Sequence, residues 1–362
     1  MPLMYSSPVT KETGFIDLKK FLTKKNENFI LVLDSNVCIY LEDYFKNPID
    51  TINRWKKSNP ELLTDFFEMI KTVREYNLEF QIHQALNENC RNISQDYSLN
   101  VESFVTRQDY ILSILEDFPL KKVLYPNKPF ESEHNINHLK QIMEPIVKNL
   151  DNPKVTLNLL LSYICTLKLR LLIENRDLKN HEKLRNYYDF MSKTVNIISL
   201  AHFGTAILTF SDFKLKNGKG MASLIHAKKK KKYSKRESFI KAIWNAAIDF
   251  AWVIEVCQEA DYEKTPIFVT NDFALNEIMQ RYNMILRIKD IQSAPVFARY
   301  DYSGIKFDSQ FTKELNMIEE ELKLRHANID NIIYNFNQQK NNNKIMQRLL
   351  SIKEELEALI PY

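Results

Sequence analysis

Short apolar runs are the clearest local pattern in the chain. Residues 29–33 form an unbroken apolar stretch that ends at Asp34, which predicts a strand covered on both faces. A second run, 267–270, ends two residues before Asp272, and 78–82 alternates apolar and polar positions as a strand does. These runs predict the strands of a central parallel sheet.

Apolar residues three and four positions apart predict helices along most of the remaining chain. Residues 195–210 are apolar enough for either a helix or a strand, and 125–137 is predicted to be a loop. The predicted helices cover 61–76, a stretch from near Asn87 to 118, 155–175, 181–194, 238–259, 273–280 and two segments of 311–359 around a turn near 328–330, and a further strand is predicted at 284–288.

The order of these elements predicts an α/β core interrupted by helices, because strand and helix alternate at the start and again near residue 267. The predicted organisation is an N-terminal extension (1–24), the first part of the core (25–95), a mostly helical insertion ending in a basic loop (96–236), the second part of the core (237–300) and a C-terminal helical tail (301–362).

Bulk composition places the chain among folded globular proteins. Of 362 residues, 44% are hydrophobic and 27% are charged, and 50 Lys and Arg against 46 Asp and Glu leave a net charge of only +4. The four cysteines, Cys38, Cys90, Cys165 and Cys257, form no CxxC pair, so we expect reduced core residues. The start of the chain lacks a signal-peptide pattern, and we expect a cytoplasmic protein without a membrane partner.

Two aspartates follow predicted strands, Asp34 immediately and Asp272 after one residue. Asp34 and Asp272 each precede a helical segment, and in an open parallel sheet the carboxyl ends of the strands line one crevice. Each could also be the N-cap of the following helix. Glu88 follows the strand at 78–82, and by itself it reads equally well as an ordinary surface residue of a helix.

Asp249 lies in the helical segment AIWNAAIDFAWVIEV, whose apolar residues occur on all sides. This pattern predicts a buried helix, in which an uncompensated carboxylate costs several kcal/mol. A Lys, an Arg or a metal ion would have to compensate the charge. If Asp249 meets Asp34, Glu88 and Asp272, their mutual repulsion favours a bound cation, and hard oxygen ligands select Mg²⁺ or Mn²⁺.

Such a site predicts hydrolysis of phosphodiester bonds, because divalent ions turn bound water into a nucleophile and neutralise charge on the phosphate. The chain contains no GxSxG motif, and no Cys beside a His base identifies a covalent nucleophile.

Three of these segments together resemble the motifs of PIN-domain nucleases. The resemblance is carried by VLDSNVCIYL at the first acid, NAAIDFA at the third and IFVTNDFAL at the last, with Glu88 placed where the family has its second acid. It covers about 25–95 and 238–290. It implies an α/β/α sandwich with a central parallel sheet, Mg²⁺ or Mn²⁺ held by the four acids, and endonuclease activity, most often on RNA. By the same resemblance Asn36, Thr270 and Ser35 support the acids.

A basic run precedes the helix of Asp249. Its seven cations could hold the phosphates that flank a scissile bond, and Tyr233 could stack on a base; a mobile, solvated loop explains the run equally well. The residues are Lys228, Lys229, Lys230, Lys231, Lys232, Lys235 and Arg236.

The leading hypothesis is therefore a metal-dependent endoribonuclease, the toxin or phage-defence effector of its system, with nucleic acid, an antitoxin or defence-complex protein and a further copy of the chain as expected partners. A second hypothesis is a PIN-like scaffold or nucleic-acid binder without catalysis. A third takes LDSNV as the phosphotransferase motif of the HAD type; that motif requires Asp where this chain has Asn36, which argues against it.

Overall fold

The computed structural model of the protein shows a mostly helical chain with a small mixed sheet. It describes residues 2–8, 22, 28–91, 99–132, 134, 138–141, 144–145, 153–211, 213–215, 218–225, 235–258, 264–287, 296–326 and 342–360. The chain divides into two compact units, one formed by Met1–Asp151 with Val253–Arg299 and the other by Asn152–Trp252 with Tyr300–Tyr362.

The first unit is built around a four-stranded sheet with the order β1-β4-β2-β3. The strands are β1 (Met4–Ser6), β2 (Asn28–Leu33), β3 (Glu79–Gln81) and β4 (Lys264–Thr270). β2 lies between β3 and β4 and is parallel to both, with Leu33 opposite Val269. β1 is antiparallel to β4, and Met4 pairs with Thr270. The carboxyl ends of β2 and β4 therefore lie side by side.

Two helices of this unit begin two residues after the ends of β2 and β3, at Ser35 and His83. Asn59 and Asn100 cap two other helices with side-chain hydrogen bonds to backbone amides. The helices are α1 (Ser35–Lys46), α2 (Pro48–Ser58), α3 (Pro60–Glu75), α4 (His83–Asn89), α5 (Val101–Leu112, continued by a π-helical turn at Ser113–Asp117) and α6 (Leu120–Leu124).

An aromatic cluster holds α1 on its neighbours. The Tyr44 ring packs edge-on against Phe66 at a centroid distance of 5.2 Å, and its hydroxyl donates to the Val123 carbonyl at 2.5 Å. Trp55 contacts the same Phe66 at 5.0 Å and is 5% exposed. Buried rings of this size contribute a large share of the apolar area that stabilises a domain.

The second unit consists of helices. Its helices from residue 153 onward include α7 (Pro153–Glu174), α8 (Asn180–Asp189, continued by a π-helical turn at Phe190–Val195), α9 (Leu200–Phe210) and α10 (Lys235–Gln258, of which residues 253–258 belong to the first unit). The first unit continues with α11 (Phe273–Arg281), β5 (Tyr282–Arg287) and β6 (Val296–Tyr300), which pair with each other. The second unit ends with α12 (Ser309–His326) and α13 (Asn342–Ala358).

A buried polar network joins three helices of the second unit. Ser162 Oγ lies 2.5 Å from the Ala247 carbonyl and 2.7 Å from His202 Nε2, and Ser199 Oγ lies 2.7 Å from His202 Nδ1. Because a hydroxyl has one proton, which Ser162 donates to the carbonyl, its oxygen must accept from an Nε2–H. His202 is therefore the Nε2–H tautomer, and Ser199 donates to its Nδ1.

Two further contacts shape this unit. Tyr163, fully buried, stacks on Trp244 at 3.8 Å and donates to Glu357 Oε1 of α13 at 2.6 Å, which attaches the C-terminal helix to α7. Gly204 of α9 lies against the Tyr300 ring so closely that a Cβ there would collide with it. Any larger residue at position 204 would displace the tyrosine.

Most predicted elements are present, with several differences. The strands at 29–33, 78–82 and 267–270 are confirmed, and the strand at 284–288 is confirmed as far as residue 287, where the described part ends. The undecided segment 195–210 is helical from Leu200. The helix expected to begin near Asn87 begins at His83. β1 and β6 were not predicted. The sheet is not purely parallel, because the N-terminal extension supplies an antiparallel edge strand.

The two units also differ from the predicted domain boundaries. The segment up to residue 151 groups with the sheet, although 96–236 was expected to form one insertion, and most of α10 groups with the second unit together with the tail helices. The turn expected near 328–330 lies outside the described residues. Cys38, Cys90 and Cys165 are buried free thiols, whereas the side chain of Cys257 is outside the described part.

A search of the described helices finds none that is both long and apolar enough to cross a membrane.

Candidate acidic site at the carboxyl edge of the sheet

Asp34 directly follows β2 at the carboxyl edge of the sheet and is only 3% exposed. Its backbone amide donates to the Val269 carbonyl at 2.9 Å, which continues the pairing with β4. The carboxylate makes no side-chain cap for α1. Its Oδ2 accepts hydrogen bonds from Thr270 Oγ1 at 2.7 Å and Asn36 Nδ2 at 3.3 Å. The N-cap interpretation therefore does not explain the carboxylate of this residue.

The electrostatics of Asp34 are those of a buried charge. Burial raises its pKa to about 6, hydrogen bonds from Thr270, Asn36 and the Ser35 amide oppose the shift, and the Asp272 carboxylate raises the pKa further. Within the described part of the chain, no Lys, Arg or His forms a salt bridge with Asp34. With its pKa near 6 this carboxylate is ionised at neutral pH, and none of the described residues supplies a cation to it.

Asp272 lies two residues beyond the end of β4 and is connected to Asp34 through Thr270. The Thr270 hydroxyl donates to Asp34 and accepts from the Asp272 amide at 2.9 Å. The carboxylate of Asp272 does cap α11, since Oδ1 accepts from the amides of Ala274 and Leu275 at 2.8 and 3.0 Å. Asp272 can therefore be a helix cap and a member of the acidic site at once, because the cap uses Oδ1 alone.

Glu88 is the third acid at this edge. It lies on α4, and its Oε2 accepts a short hydrogen bond from the Ser35 hydroxyl. Asn89 Nδ2 donates to the Ser35 carbonyl at 3.4 Å, so α4 is attached to the first turn of α1 at two points. The supporting residues expected from the sequence therefore have distinct contacts: Thr270 and Asn36 with Asp34, and Ser35 with Glu88.

Cys38 shows that these acids lie close together. Its thiol is fully buried on α1, and its pKa is raised well above the usual value by burial and then by the charges of Asp34, Glu42 and Glu88. Glu42 was not predicted from the sequence. It is 3% exposed, and Arg107 neutralises it through two hydrogen bonds of 3.0 Å.

The contrast between Glu42 and Asp34 separates structural from candidate functional acids. Glu42 is buried with an arginine whose Nη1 donates to both carboxylate oxygens, and such an ion pair is the usual way of satisfying a buried carboxylate. Asp34 is equally buried, but its partners are a hydroxyl and an amide. No signal in the sequence indicated the pair, because Glu42 and Arg107 are 65 positions apart.

Asp249 belongs to the second unit, and its surroundings differ from the expectation. Its helix is not buried on all sides: Lys241 and Asn245, eight and four positions earlier on the same face, are exposed, and Asp249 is half-buried. The premise that burial forces a compensating cation on Asp249 is therefore wrong. Its assignment to the acidic site stays a prediction from the sequence.

Of the seven cations in the basic run, only Lys235 and Arg236 are among the described residues. Lys228, Lys229, Lys230, Lys231, Lys232 and Tyr233 lie outside the described residues. Lys235 is exposed at the start of α10, and Arg236 Nη2 donates to the Glu357 carbonyl at 3.3 Å. Arg236 thus contributes to the packing of α13, and phosphate binding by the run stays a prediction.

The donor set of the first unit matches a hard divalent cation in chemistry. Asp34, Glu88 and Asp272 offer carboxylate oxygens, the ligands that Mg²⁺ and Mn²⁺ prefer. As arranged, no three His, Cys, Asp or Glu side chains in the described residues come close enough to hold one ion. A cation would have to compete with the Ser35 hydroxyl for Glu88 and would share Asp272 with the amides of α11.

Comparison of the chain with protein-family models, with curated proteins and with solved structures finds no match.

Proposed function

We propose that the protein is a metal-dependent endonuclease, with RNA as its substrate and Asp34, Asp272 and Glu88 as the acids that hold a Mg²⁺ or Mn²⁺ ion. The observation that carries the proposal is the ionised, buried Asp34 at the junction of two parallel strands, which has no cationic partner among the described residues. The choice of RNA, and a role as a toxin or phage-defence effector, rest on the resemblance to PIN-domain nucleases.

The position of the acids supports this proposal. Ligands of open α/β sheets bind outside the carboxyl ends of the strands. Asp34 and Asp272 lie there, just beyond the ends of the neighbouring strands β2 and β4. Burial raises the pKa of Glu42 as well as that of Asp34, but only Glu42 has an arginine among the described residues to oppose the shift. A buried acid without such a partner is typical of a functional carboxylate.

Each supporting residue has a definable task in such a site. Thr270 holds the Asp34 carboxylate and the Asp272 backbone at once, so it fixes the spacing of the two acids. Asn36 donates to Asp34 and cannot serve as an acid, which agrees poorly with a HAD-type phosphotransferase. A bound divalent ion would supply water activation and neutralise charge on the phosphate.

The test uses labelled single-stranded RNA and single-stranded DNA, incubated with the full chain in Mn²⁺ or Mg²⁺. We expect cleavage of RNA that EDTA abolishes and that Asp34→Asn reduces by more than about a hundredfold, because even indirect ligand supports are worth 10- to 100-fold. Asp50→Asn is the matched control, because Asp50 lies near a helix start as Asp34 does, in the first turn of α2, and it is exposed.

Metal binding is measured separately by thermal unfolding. A ligand that binds the folded state at 100 times its Kd stabilises that state by about 2.7 kcal/mol. We expect Mn²⁺ to raise the Tm of the parent chain and of Asp50→Asn, and to leave that of Asp34→Asn unchanged. Equal cleavage by parent and Asp34→Asn, or an equal Mn²⁺ response, would show that the site is misassigned. Asp249→Ala in the same assays tests the assignment of the fourth acid.

A PIN-like scaffold without catalysis is the second candidate function. The observation that favours it is that no three potential ligands in the described residues are gathered tightly enough for one ion. RNA binding without cleavage, together with a Tm that does not respond to Mn²⁺, would favour the scaffold.

A further inference from the structure

The exposed face of α1 leads away from the acidic site. It begins at Asn36, which is exposed and bonded to Asp34, and continues with Ile39 and Tyr40. Ile39 is 36% exposed and Tyr40 is half-buried. Because an α-helix rises 1.5 Å per residue, Tyr40 lies about 9 Å along the axis from Asp34. An apolar surface therefore adjoins the acids.

Tyr40 is held rigidly although part of its ring faces solvent. Its hydroxyl donates to Asn271 Oδ1 at 2.9 Å, and Asn271 Nδ2 donates to the Pro2 carbonyl at 2.9 Å. The ring rests edge-on against buried Trp55, with centroids 5.4 Å apart and an interplanar angle of 78°. Contacts at both ends of the side chain fix its orientation before any ligand binds.

Tyr40 is also coupled to the acids. Asn271 stands between Thr270 and Asp272, so the hydroxyl is attached to the loop that carries one of the carboxylates. Burial and the Asp34 charge raise the pKa of Tyr40, while the exposed guanidinium of Arg54 lowers it. Tyr40 is thus close to both the acidic site and a cation on α2.

We propose that Ile39 and Tyr40 form the contact surface for an unpaired base of a single-stranded nucleic acid whose phosphate is bound by the divalent ion that Asp34 would hold. This inference rests on the proposed function and adds the strandedness of the substrate. A preoriented aromatic ring beside an aliphatic side chain binds a base through its face, and every base has such a face. In a duplex the bases are stacked on each other, so their faces are not available to Tyr40.

The experiment measures binding of a fluorescein-labelled single-stranded RNA by anisotropy, with Ca²⁺ replacing Mn²⁺ so that the acidic site keeps a divalent ion, and a gel checks that the RNA stays intact. We expect Tyr40→Leu to weaken binding roughly tenfold, in the range of lost base stacking, and Ile39→Ser to weaken it about threefold, because its contact is smaller. Tyr40→Phe keeps the ring and should weaken binding less than about twofold. The same RNA annealed to its complement should bind more weakly than the single strand.

Tyr76→Leu and Ile49→Ser are the matched controls. Tyr76 is 43% exposed and Ile49 is 42% exposed, and Tyr76 precedes β3, at the opposite edge of the sheet from the acids. Neither control should change the affinity. Circular dichroism checks that each variant is folded, and Ile39→Ser alters an exposed position, so it tests the surface even if Tyr40→Leu unfolds.

The outcomes are distinguishable from failure of the proposed function. If the chain cleaves RNA but Tyr40→Leu and Ile39→Ser bind it as tightly as the parent, the base contact is overturned alone. Equal losses for Tyr40→Phe and Tyr40→Leu would assign the effect to the hydroxyl and overturn stacking, as would equal affinity for duplex and single strand. Binding that depends on Tyr40 in a chain that never cleaves RNA refutes the nuclease and leaves the surface in place.

Discussion

The two units bury polar groups in opposite ways. In the first, the Asp34 carboxylate is charged at neutral pH and is held by a hydroxyl and an amide. In the second, Ser162, His202 and Ser199 form a neutral network that uses both ring nitrogens of the histidine. A fully satisfied network fixes the packing of helices. A buried charge without a cation costs stability, and such a cost is typical of sites that bind a ligand.

The pH dependence of stability follows from this difference and has opposite signs in the two units. His202 has its pKa lowered by burial to about 4, whereas Asp34 has its pKa raised by burial to about 6. Below pH 6.5 the unfolded chain binds a proton at His202 more readily than the folded chain does, so acid destabilises the second unit. Between about pH 4 and 6 the folded chain binds a proton at Asp34 more readily, so acid stabilises the first.

His202 gives the largest expected change in stability. The free energy of unfolding that depends on neutral His202 is fully present above pH 6.5. It is lost as the pH falls to about 4, and the loss is roughly 3 to 4 kcal/mol. The measurement is urea unfolding of the full chain at several pH values, followed through the second unit by a fluorescence probe at Trp244. His202→Gln should abolish most of this acid sensitivity while costing about 1 to 3 kcal/mol at pH 7.

An acid sensitivity unchanged in His202→Gln would mean that other groups cause it. The matched control is His181→Gln, because His181 lies on α8 of the same unit and only partly exposes its ring.

Asp34→Asn should stabilise the first unit by roughly 3 kcal/mol at pH 7.5, because the variant removes a charge whose pKa is raised from 3.8 to about 6. The advantage should vanish near pH 4, where the parent carboxylate is protonated in the folded state. The free energy of unfolding of both chains, measured without divalent ions at the two pH values, checks this. A variant that is less stable than its parent at pH 7.5 would contradict the electrostatic cost assigned to Asp34.

Asp272 should show the smallest change in stability. Asp272→Asn keeps a good N-cap and should change the free energy of unfolding by less than about 0.5 kcal/mol, whereas Asp272→Ala should cost about 1 kcal/mol. Both should weaken the Mn²⁺ response measured by Tm. If Asp272→Asn keeps the full Mn²⁺ response, Asp272 is a helix cap only.

The sequence predicted the centre of the sheet because β2 and β4 are continuous apolar runs. Such runs need cover on both faces, so their ends and the acids that follow could be located without a structure. The pairing of Asp34 with Thr270 follows from the parallel register, which places both at one edge. The motif resemblance named Thr270 as a support, but only the structure shows that its hydroxyl serves two acids.

What the sequence did not predict depends on distant partners. β1 has three residues, too few for a periodic signal, and it exists because β4 offers an open edge. The face of α10 with Lys241, Asn245 and Asp249 was overlooked because the intervening apolar residues made the helix look uniformly buried. Glu42 reads as an exposed acid of an amphipathic helix until Arg107 is brought to it from α5.

The Cys38 thiol beneath the acids has a consequence for chemical reactivity. Since only the thiolate reacts with alkylating reagents and oxidants, and since burial and three carboxylates disfavour the thiolate, this sulfur is protected while the edge of the sheet stays closed. Its rate of alkylation therefore reports how often that edge opens. A cation bound among the acids would slow the opening, so the rate also follows occupancy of the site without any substrate present.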